Sequence, residues 1–188
     1  MILFLNGPFG VGKSTAAELI VERILRAAVY DPEIVGAFVW HLTRDMDADV
    51  EGRNDFQDHP LWEPMVVETA RLLKREYGRM LIIPMTVWRR DRFLRLTDGL
   101  REVDPELLRL LRLTASEDTL RGRILGRPES EGDHGWCLGR LGVCLEASRD
   151  PAFGVEIRTE NRSPSEVADE ILNEIGVAQQ TSSRGSGS

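Results

Sequence analysis

A glycine-rich segment near the start of the chain constrains the fold more than any other feature. Residues 7–14 read Gly-Pro-Phe-Gly-Val-Gly-Lys-Ser, which satisfies the pattern GxxxxGK followed by Ser or Thr. Four apolar residues precede it, and apolar side chains recur at helical spacing after Ser14. A strand, a glycine loop and a helix in this order direct backbone N–H groups and a helix N-terminus at one point. The segment therefore predicts a P-loop that binds a nucleotide phosphate.

The residues of this loop have separate expected roles. Glycines at positions 10 and 12 let the backbone turn its N–H groups inward. Lys13 places a point charge on the β- and γ-phosphates, and the Ser14 hydroxyl can hold Mg²⁺. Thr15 is expected to cap the helix or to touch the α-phosphate. With ATP and Mg²⁺ as the predicted cofactors, the predicted nucleotide-binding residues are Gly7, Gly10, Val11, Gly12, Lys13, Ser14 and Thr15.

Charge and composition restrict the partners and the location. Lys and Arg total 24 against 31 Asp and Glu, a net charge of −7 that argues against broad contact with nucleic acid or an anionic membrane. No stretch reaches the roughly 18 apolar residues that span a bilayer. Cys137 and Cys144 are too few for a disulfide framework and fit no common metal motif, so we expect buried thiols. These features predict a cytoplasmic protein.

Apolar runs alternate with helical periods along the chain. Strands are predicted over residues 2–5, 28–30, 80–85, 105–113 and 155–157. Helices are predicted over residues 14–28, 33–42, 61–77, 91–103, 116–126, 136–147 and 164–175. The leucines of 105–113 also suit a helix, but a position between two helices favours a strand. The alternation predicts an α/β fold with a three-layer, doubly wound parallel sheet.

The length and composition predict one kinase-like domain over residues 1–178. Within it, acidic or Gly- and Pro-rich stretches at about 43–60 and 127–135 are expected to be mobile excursions. The Ser/Gly-rich residues 179–188 are predicted to be a disordered tail.

Missing motifs narrow the class of P-loop protein. The chain has no guanine-recognition motif of the NKxD kind, and no apolar strand ends in Asp-Glu. This pattern favours the small-molecule and nucleotide kinases, in which an acidic residue after the second strand commonly faces the acceptor hydroxyl. Asp31 follows the second strand, and its carboxylate can accept the acceptor proton or hold Mg²⁺ through water. The alternative is that Asp31 only ends the strand and caps the next helix.

Two arginines resemble the lid of such kinases. Arg123 and Arg127 lie four residues apart on one helix face that points toward a Gly-rich loop, and Arg140 follows just beyond. Closing over the transferred phosphoryl group, they would neutralise its charge; the alternative is a solvated helix face. The predicted catalytic residues are Lys13, Asp31, Arg123 and Arg127.

A polar and aromatic segment over residues 55–62 predicts the acceptor site. Its Asp, Gln, Phe and Trp side chains combine hydrogen-bonding groups with aromatic surface, as a ring-bearing polar ligand requires. The alternative is a loop attached to the core by its aromatic residues. The predicted substrate-binding residues are Asp31, Asp55, Phe56, Gln57 and Trp62.

Four blocks of sequence carry a resemblance to a known family. They read Tyr30-Asp31-Pro32-Glu33, Asp55-Phe56-Gln57, Pro60-Leu61-Trp62 and Ile83-Pro84-Met85-Thr86. Together with the P-loop, Ala115-Ser116-x-x-Thr119-Leu120 and Trp136, these blocks cover nearly residues 1–175. The chain resembles the tunicamycin-resistance ATP-binding proteins. The resemblance implies a P-loop kinase-like fold, ATP binding and protection against the nucleoside antibiotic tunicamycin.

Three functions remain open at this point. The first is ATP-dependent phosphoryl transfer to tunicamycin or a related nucleoside sugar, with this small molecule as the partner. The second is non-catalytic, ATP-gated binding and sequestration of the drug. The third is a nucleoside monophosphate kinase, which needs acceptor-binding arginines near the second and third strands; the candidates are Arg44, Arg53, Arg89 and Arg90. The oligomeric state is also open.

Overall fold

Strand β1 (Ile2–Asn6) is the centre of a parallel sheet in this computed structural model, which describes residues 1–46, 55–128 and 133–177. The other strands of the sheet are β2 (Ala27–Val29), β3 (Met80–Met85), β4 (Leu108–Thr114) and β5 (Val155–Arg158). Their spatial order is β2-β3-β1-β4-β5, and every neighbouring pair is parallel.

Helices connect these strands within the described part of the chain. They are α1 (Lys13–Arg23), α2 (Pro32–Thr43), α3 (Trp62–Tyr77), α4 (Arg90–Val103), α5 (Glu117–Leu125), α6 (His134–Ala147) and α7 (Pro164–Glu174). Short 3-10 turns lie at Phe56–Asp58 and Pro151–Phe153. Local sequence signals explain several helix ends. Ser116 caps α5, Gly78 ends α3 in the left-handed conformation, and Ser163 begins α7 with a capping box.

Both faces of β1 are covered, which gives the sheet its three layers. Successive side chains of a strand point to opposite faces. Accordingly Leu3 and Leu5 belong to a core cluster with side chains of α1, α5, α6 and α7, whereas Ile2 and Phe4 belong to a second cluster with α2, α3 and α4. The predicted doubly wound α/β sheet is confirmed, and a wholly apolar central strand is its physical cause.

The ambiguous leucine-rich segment is a strand over Leu108–Thr114, whereas residues 105–107, predicted as its start, form a turn. β4 pairs with β1 on one side and β5 on the other, in register from Leu108 opposite Ile2. These neighbours supply the ladder hydrogen bonds that a helix would make internally.

The predicted length of the first helix, residues 14–28, is wrong. α1 ends at Arg23, Ile24 is extended (φ −116°, ψ 103°), and β2 begins at Ala27. Ala27 aligns with Met80 of β3, whose N–H donates to the Arg26 carbonyl. Pairing with β3 therefore overrides a helical periodicity that continues in the sequence.

The predicted excursions and tail fall partly outside the described residues. α2 extends to Thr43, residues 56–58 form a 3-10 turn, and α6 already begins at His134. Residues 47–54, 129–132 and 178–188 lie outside the described part, so the predicted mobility of the excursions and the predicted disorder of the tail stay predictions.

The chain changes direction next to β1, and this positions the site. β2 and β3 lie on one side of β1, whereas β4 and β5 lie on the other. In open parallel sheets such a reversal leaves a crevice at the carboxyl ends of the strands, where ligands bind. Across the described ranges, none of the helices has the length and apolar character needed to cross a membrane.

Candidate active site

A cavity of about 720 Å³ lies at the carboxyl edge of the sheet. Its centre is the P-loop and the start of α1, residues 9–16. The β2/β3 half is lined by Glu33, Phe56, Gln57, Pro84, Met85 and Thr86. The β4/β5 half is lined by Arg123, Thr159, Arg162, Pro164 and Val167. Between α5 and α6, the lining consists of Arg127, Asp133, Trp136 and Cys137.

Two glycines shape the loop. A Cβ on Gly7 (φ +152°) would lie 2.6 Å from the Leu113 carbonyl oxygen, so the loop packs directly on β4. Gly12 (φ +96°) begins α1 in the left-handed region, and a Cβ there would have no heavy atom within 4 Å. The loop is therefore held on the sheet side and has open space on the other side, which fits a bound phosphate chain.

Lys13 lies under this loop. Its Nζ donates hydrogen bonds of 2.9 Å to the carbonyls of Gly7 and Pro8. Burial of the ammonium group lowers the pKa of Lys13 to about 8; neighbouring Arg127 lowers it as well, and Glu33 opposes the shift. A phosphate would supply the negative charge that favours the ammonium form.

The two predicted lid arginines lie on the same cavity as Lys13. Arg123 Nη1 and Nη2 donate to the hydroxyl and the carbonyl of Thr159, at 2.9 and 3.0 Å. Arg127 Nε is buried and has no hydrogen-bond partner among the described residues. Lys13, Arg123 and Arg127, with the loop N–H groups, form a donor set that suits a triphosphate. Arg162, which the sequence reasoning missed, also lines the cavity but is paired with Glu170.

Side chains from separate sequence blocks support the loop. Gln57 Nε2 donates to the Thr86 carbonyl at 3.0 Å, and Thr86 Oγ1 donates to the Gly7 carbonyl at 2.9 Å. Asn6 exchanges two hydrogen bonds with the Val87 backbone, at 2.9 and 3.0 Å. The ends of β1 and β3 are thereby linked to the predicted substrate segment.

The two aromatic residues of the predicted substrate segment, Phe56 and Trp62, lie in different environments. Phe56 lines the cavity, whereas Trp62 is fully buried and its Nε1 donates to the Pro32 carbonyl at 3.1 Å. Their ring centroids are 5.7 Å apart. Trp62 therefore supports Phe56 from within the core and does not line the cavity.

The two predicted substrate-binding carboxylates, Asp31 and Asp55, also lie outside the cavity lining. Asp31 caps α2: its Oδ1 accepts the Glu33 N–H at 2.9 Å, and it does not line the cavity. Asp55 Oδ1 accepts the Gln57 N–H in the same way; its Oδ2 is buried without a partner in the described residues and is not part of the lining. The carboxylate in the β2/β3 half of the lining is Glu33, which the sequence reasoning missed although it is the last residue of the block that contains Asp31.

The carboxylates of this region influence each other. Partial desolvation at the cavity wall raises the pKa of Glu33 although the residue stays exposed to solvent; the charges of Asp31 and Asp55 raise it further, and Lys13 opposes the shift. Burial is also the main cause that raises the pKa of Asp55. A carboxyl group with a raised pKa in a cavity is suited to accepting a proton.

An aromatic side chain near the start of α6 packs on the P-loop. Trp136 lies edge-on to Phe9 of the P-loop, with ring centroids 5.1 Å apart. The Arg140 guanidinium lies 4.0 Å from the Trp136 ring centroid and 6.0 Å from that of Trp88. Arg140 is therefore a support for Trp136 and is not itself part of the lining.

Fold and site together define a P-loop protein with a cavity on both sides of its phosphate loop, and its structural relatives are kinase-like. The chain is similar to the tunicamycin resistance protein of Deinococcus radiodurans, with a TM-score of 0.74 and 25% identity over 95% of this chain and 97% of that chain. The resemblance predicted from the sequence blocks is confirmed at the level of structure.

Two further solved structures show the fold. A sugar kinase from Janibacter sp. HTCC2649 has a TM-score of 0.63 and 18% identity over 94% of this chain and 95% of that chain. A gluconokinase from Sinorhizobium meliloti 1021 has a TM-score of 0.61 and 20% identity over 93% and 90%. No family model and no curated protein matches the chain.

Proposed function

We propose that the protein transfers the γ-phosphoryl group of ATP to a hydroxyl group of tunicamycin or a related nucleoside sugar, and so confers resistance to the drug. One observation carries the proposal: Lys13 and Glu33 line the same cavity, on the P-loop and on its β2/β3 side. A cation for the phosphate and a carboxylate for the acceptor are the two groups that this reaction needs.

ATP fits the P-loop and the β4/β5 half. The loop N–H groups and Lys13 would hold the phosphates, and Ser14 would hold Mg²⁺, which neutralises phosphate charge when bound. Arg123, kept in place by Thr159, would add a guanidinium donor for the phosphates, and Pro164 adds apolar surface nearby.

The acceptor would lie on the β2/β3 side. Glu33 accepts the proton of the acceptor hydroxyl while that oxygen forms a bond to the γ-phosphorus. The bond from this phosphorus to the bridging oxygen of ADP breaks, and ADP leaves with the bonding electrons. Lys13 and Arg127 stabilise the negative charge of the transferred group throughout.

A second candidate is sequestration of the drug without transfer. The position of Asp31 favours it, because the predicted acceptor-facing carboxylate caps α2 instead. The nucleoside monophosphate kinase is disfavoured, because Arg44, Arg89 and Arg90 pair with acidic residues and lie outside the cavity lining. Arg53 lies outside the described residues.

Product analysis separates transfer from sequestration. The protein is incubated with Mg²⁺, ATP and tunicamycin, and mass spectrometry detects a phosphate added to the drug. We expect phosphorylated drug and an equal amount of ADP. Tight drug binding without phosphorylated product over repeated incubations would reject the transferase and establish the sequestering protein.

Two variants test the role of Glu33 against that of Asp31. We expect Glu33→Gln to lower turnover about 100- to 1,000-fold with ATP binding retained, because the proton acceptor is lost. Asp31→Asn should keep most activity, since Asn caps a helix as well as Asp. The reverse result, with Asp31→Asn inactive and Glu33→Gln active, would return the acceptor role to Asp31.

The proposed location is the cytoplasm. Dependence on ATP requires a compartment that supplies it, and the free, buried thiols Cys137 and Cys144 fit a reducing environment.

A further inference from the structure

The charges of the lining are divided between the two sides of the cavity. Its cationic side chains are on the P-loop, in the β4/β5 half or between α5 and α6: Lys13, Arg123, Arg127 and Arg162. Asp133, which caps α6, adds one carboxylate to this cationic side. Among the described residues that line the β2/β3 half, the charged one is Glu33, and it is anionic. The acceptor side is thus negative, although it adjoins a strongly positive phosphate site.

Three arginines near the β2/β3 half form ion pairs with acidic residues of the protein. Arg92 is buried and pairs with Asp58 at 2.6 Å, and Arg89 reaches the same carboxylate at 3.3 Å. Arg90 pairs with Asp150 at 3.1 Å. None of these three lines the cavity. An anionic group on the acceptor would therefore find no arginine among the described residues that line this half.

Side-chain donors of the same half are few, and most are occupied. Thr86 has one hydroxyl proton, which it donates to the Gly7 carbonyl, and buried Gln57 donates one of its two amide protons to the Thr86 carbonyl. The remaining lining side chains, Phe56, Pro84 and Met85, have no strong hydrogen-bond donor. The acceptor groups of this region are the Glu33 carboxylate in the lining and the buried Asp55 Oδ2, which lies outside the lining and has no partner among the described residues.

We infer that the β2/β3 half selects acceptors that donate hydrogen bonds, namely uncharged or cationic polyols, and rejects acceptors that carry a phosphate or carboxylate group. A ligand hydroxyl or ammonium group satisfies Glu33, whereas an anion meets like charge and no counter-cation. The inference rests on the proposed function, because it defines the acceptor class of the same site.

Three probes of one skeleton test the charge preference: uridine, its 5′-monophosphate and 5′-amino-5′-deoxyuridine. The protein is first saturated with Mg²⁺ and a non-hydrolysable ATP analogue, so that phosphates cannot enter the β4/β5 half. Calorimetry at pH 8 then gives the affinity of each probe. We expect the amino compound and uridine to bind at least about tenfold more tightly than the monophosphate.

Matched variants assign the preference to Glu33. Glu33→Gln should remove most of the difference between the amino compound and the monophosphate. Glu18→Gln makes the same charge change at an exposed position outside the cavity and should leave all three affinities unchanged. Thermal unfolding verifies that both variants fold.

The inference is overturned if the monophosphate binds as tightly as uridine, if no probe binds, or if both variants behave alike. These outcomes are independent of phosphoryl transfer, because the ATP analogue donates no phosphate. Failure to phosphorylate tunicamycin would reject the proposed function and leave the measured charge preference intact.

Discussion

In the proposed reaction, Lys13 and Glu33 are the two side chains of opposite charge that carry the chemistry. Lys13 is one of only two lysines among 24 basic residues, and its ammonium is held under the P-loop by two carbonyls. Arg cannot replace it easily, because the guanidinium is larger and planar, whereas a loop of this kind needs a point charge. Glu33 faces the same cavity and shares its electrostatic environment.

Titration of Lys13 predicts how ATP binding depends on pH. Its pKa is lowered to about 8, so the ammonium charge is present below this pH and is lost as the pH rises through it. We expect ATP affinity to be nearly constant between about pH 6.5 and 7.5 and to fall about tenfold per unit above about pH 8.5. Calorimetric titration at each pH measures this.

Lys13→Ala is the control for this profile. The variant should bind ATP weakly at every pH and show no break near pH 8, because the titrating group is absent. An unchanged affinity of the unmodified protein up to pH 10 would contradict the assignment.

A close contact between α2 and the 3-10 turn at Phe56–Asp58 positions the β2/β3 half of the cavity, the proposed acceptor side. A Cβ on Gly36 of α2 would lie 2.4 Å from Phe56 Cδ2 and 2.9 Å from Phe56 Cβ. α2 and the 3-10 turn therefore pack at a distance that only glycine permits, and this contact holds the Phe56 ring at the cavity. A similar approach joins α3 and α4, where a Cβ on Gly99 would lie 2.7 Å from Val67 Cγ2, away from the site.

Two glycine substitutions separate stability from acceptor binding. Gly36→Ala and Gly99→Ala should each lower the free energy of unfolding by about 1–3 kcal/mol, because both overpack a helix contact. Only Gly36→Ala displaces Phe56, so only this variant should also weaken binding of tunicamycin. Denaturant unfolding and drug titration measure the two effects. Equal loss of drug affinity in both variants would show that Phe56 has no specific role.

The molecule as a whole is acidic, whereas the charged side chains on the P-loop side of its cavity are mainly cationic. The net charge is −7, yet the P-loop side of the cavity collects cations. A bound polyanion would relieve repulsion among these partly buried cations, so the proposed nucleotide binding would be linked to folding stability.

Thermal stability should report this linkage. With Mg²⁺ and ATP at about 100 times Kd, binding adds about 2.7 kcal/mol to the free energy of unfolding. For a chain of this size that corresponds to a rise in Tm of roughly 5–11 °C. Lys13→Ala should show little of this shift, and scanning fluorimetry measures both proteins. A Tm that ATP does not change would contradict nucleotide binding at the P-loop.

Much of the fold was predictable because its signals are local. The apolar run before Asn6, the glycine pattern after it and the helix caps at Ser116 and Ser163 act within a few residues. The end of α1 was not predictable in this way, since the position of β2 depends on pairing with a strand about 50 residues later in the chain.

The sequence by itself determined the P-loop, the predicted phosphate site, because this loop is contiguous and its glycines and Lys13 act where they stand in the chain. Tertiary structure alone decided which carboxylate lines the β2/β3 half of the cavity, the proposed acceptor side. Asp31 and Glu33 are two residues apart, and although Asp before Pro is a helix-capping signal, no pattern shows that Glu33 lines the cavity. That outcome depends on how α2 packs against α3 and β3, whose residues are distant in the sequence.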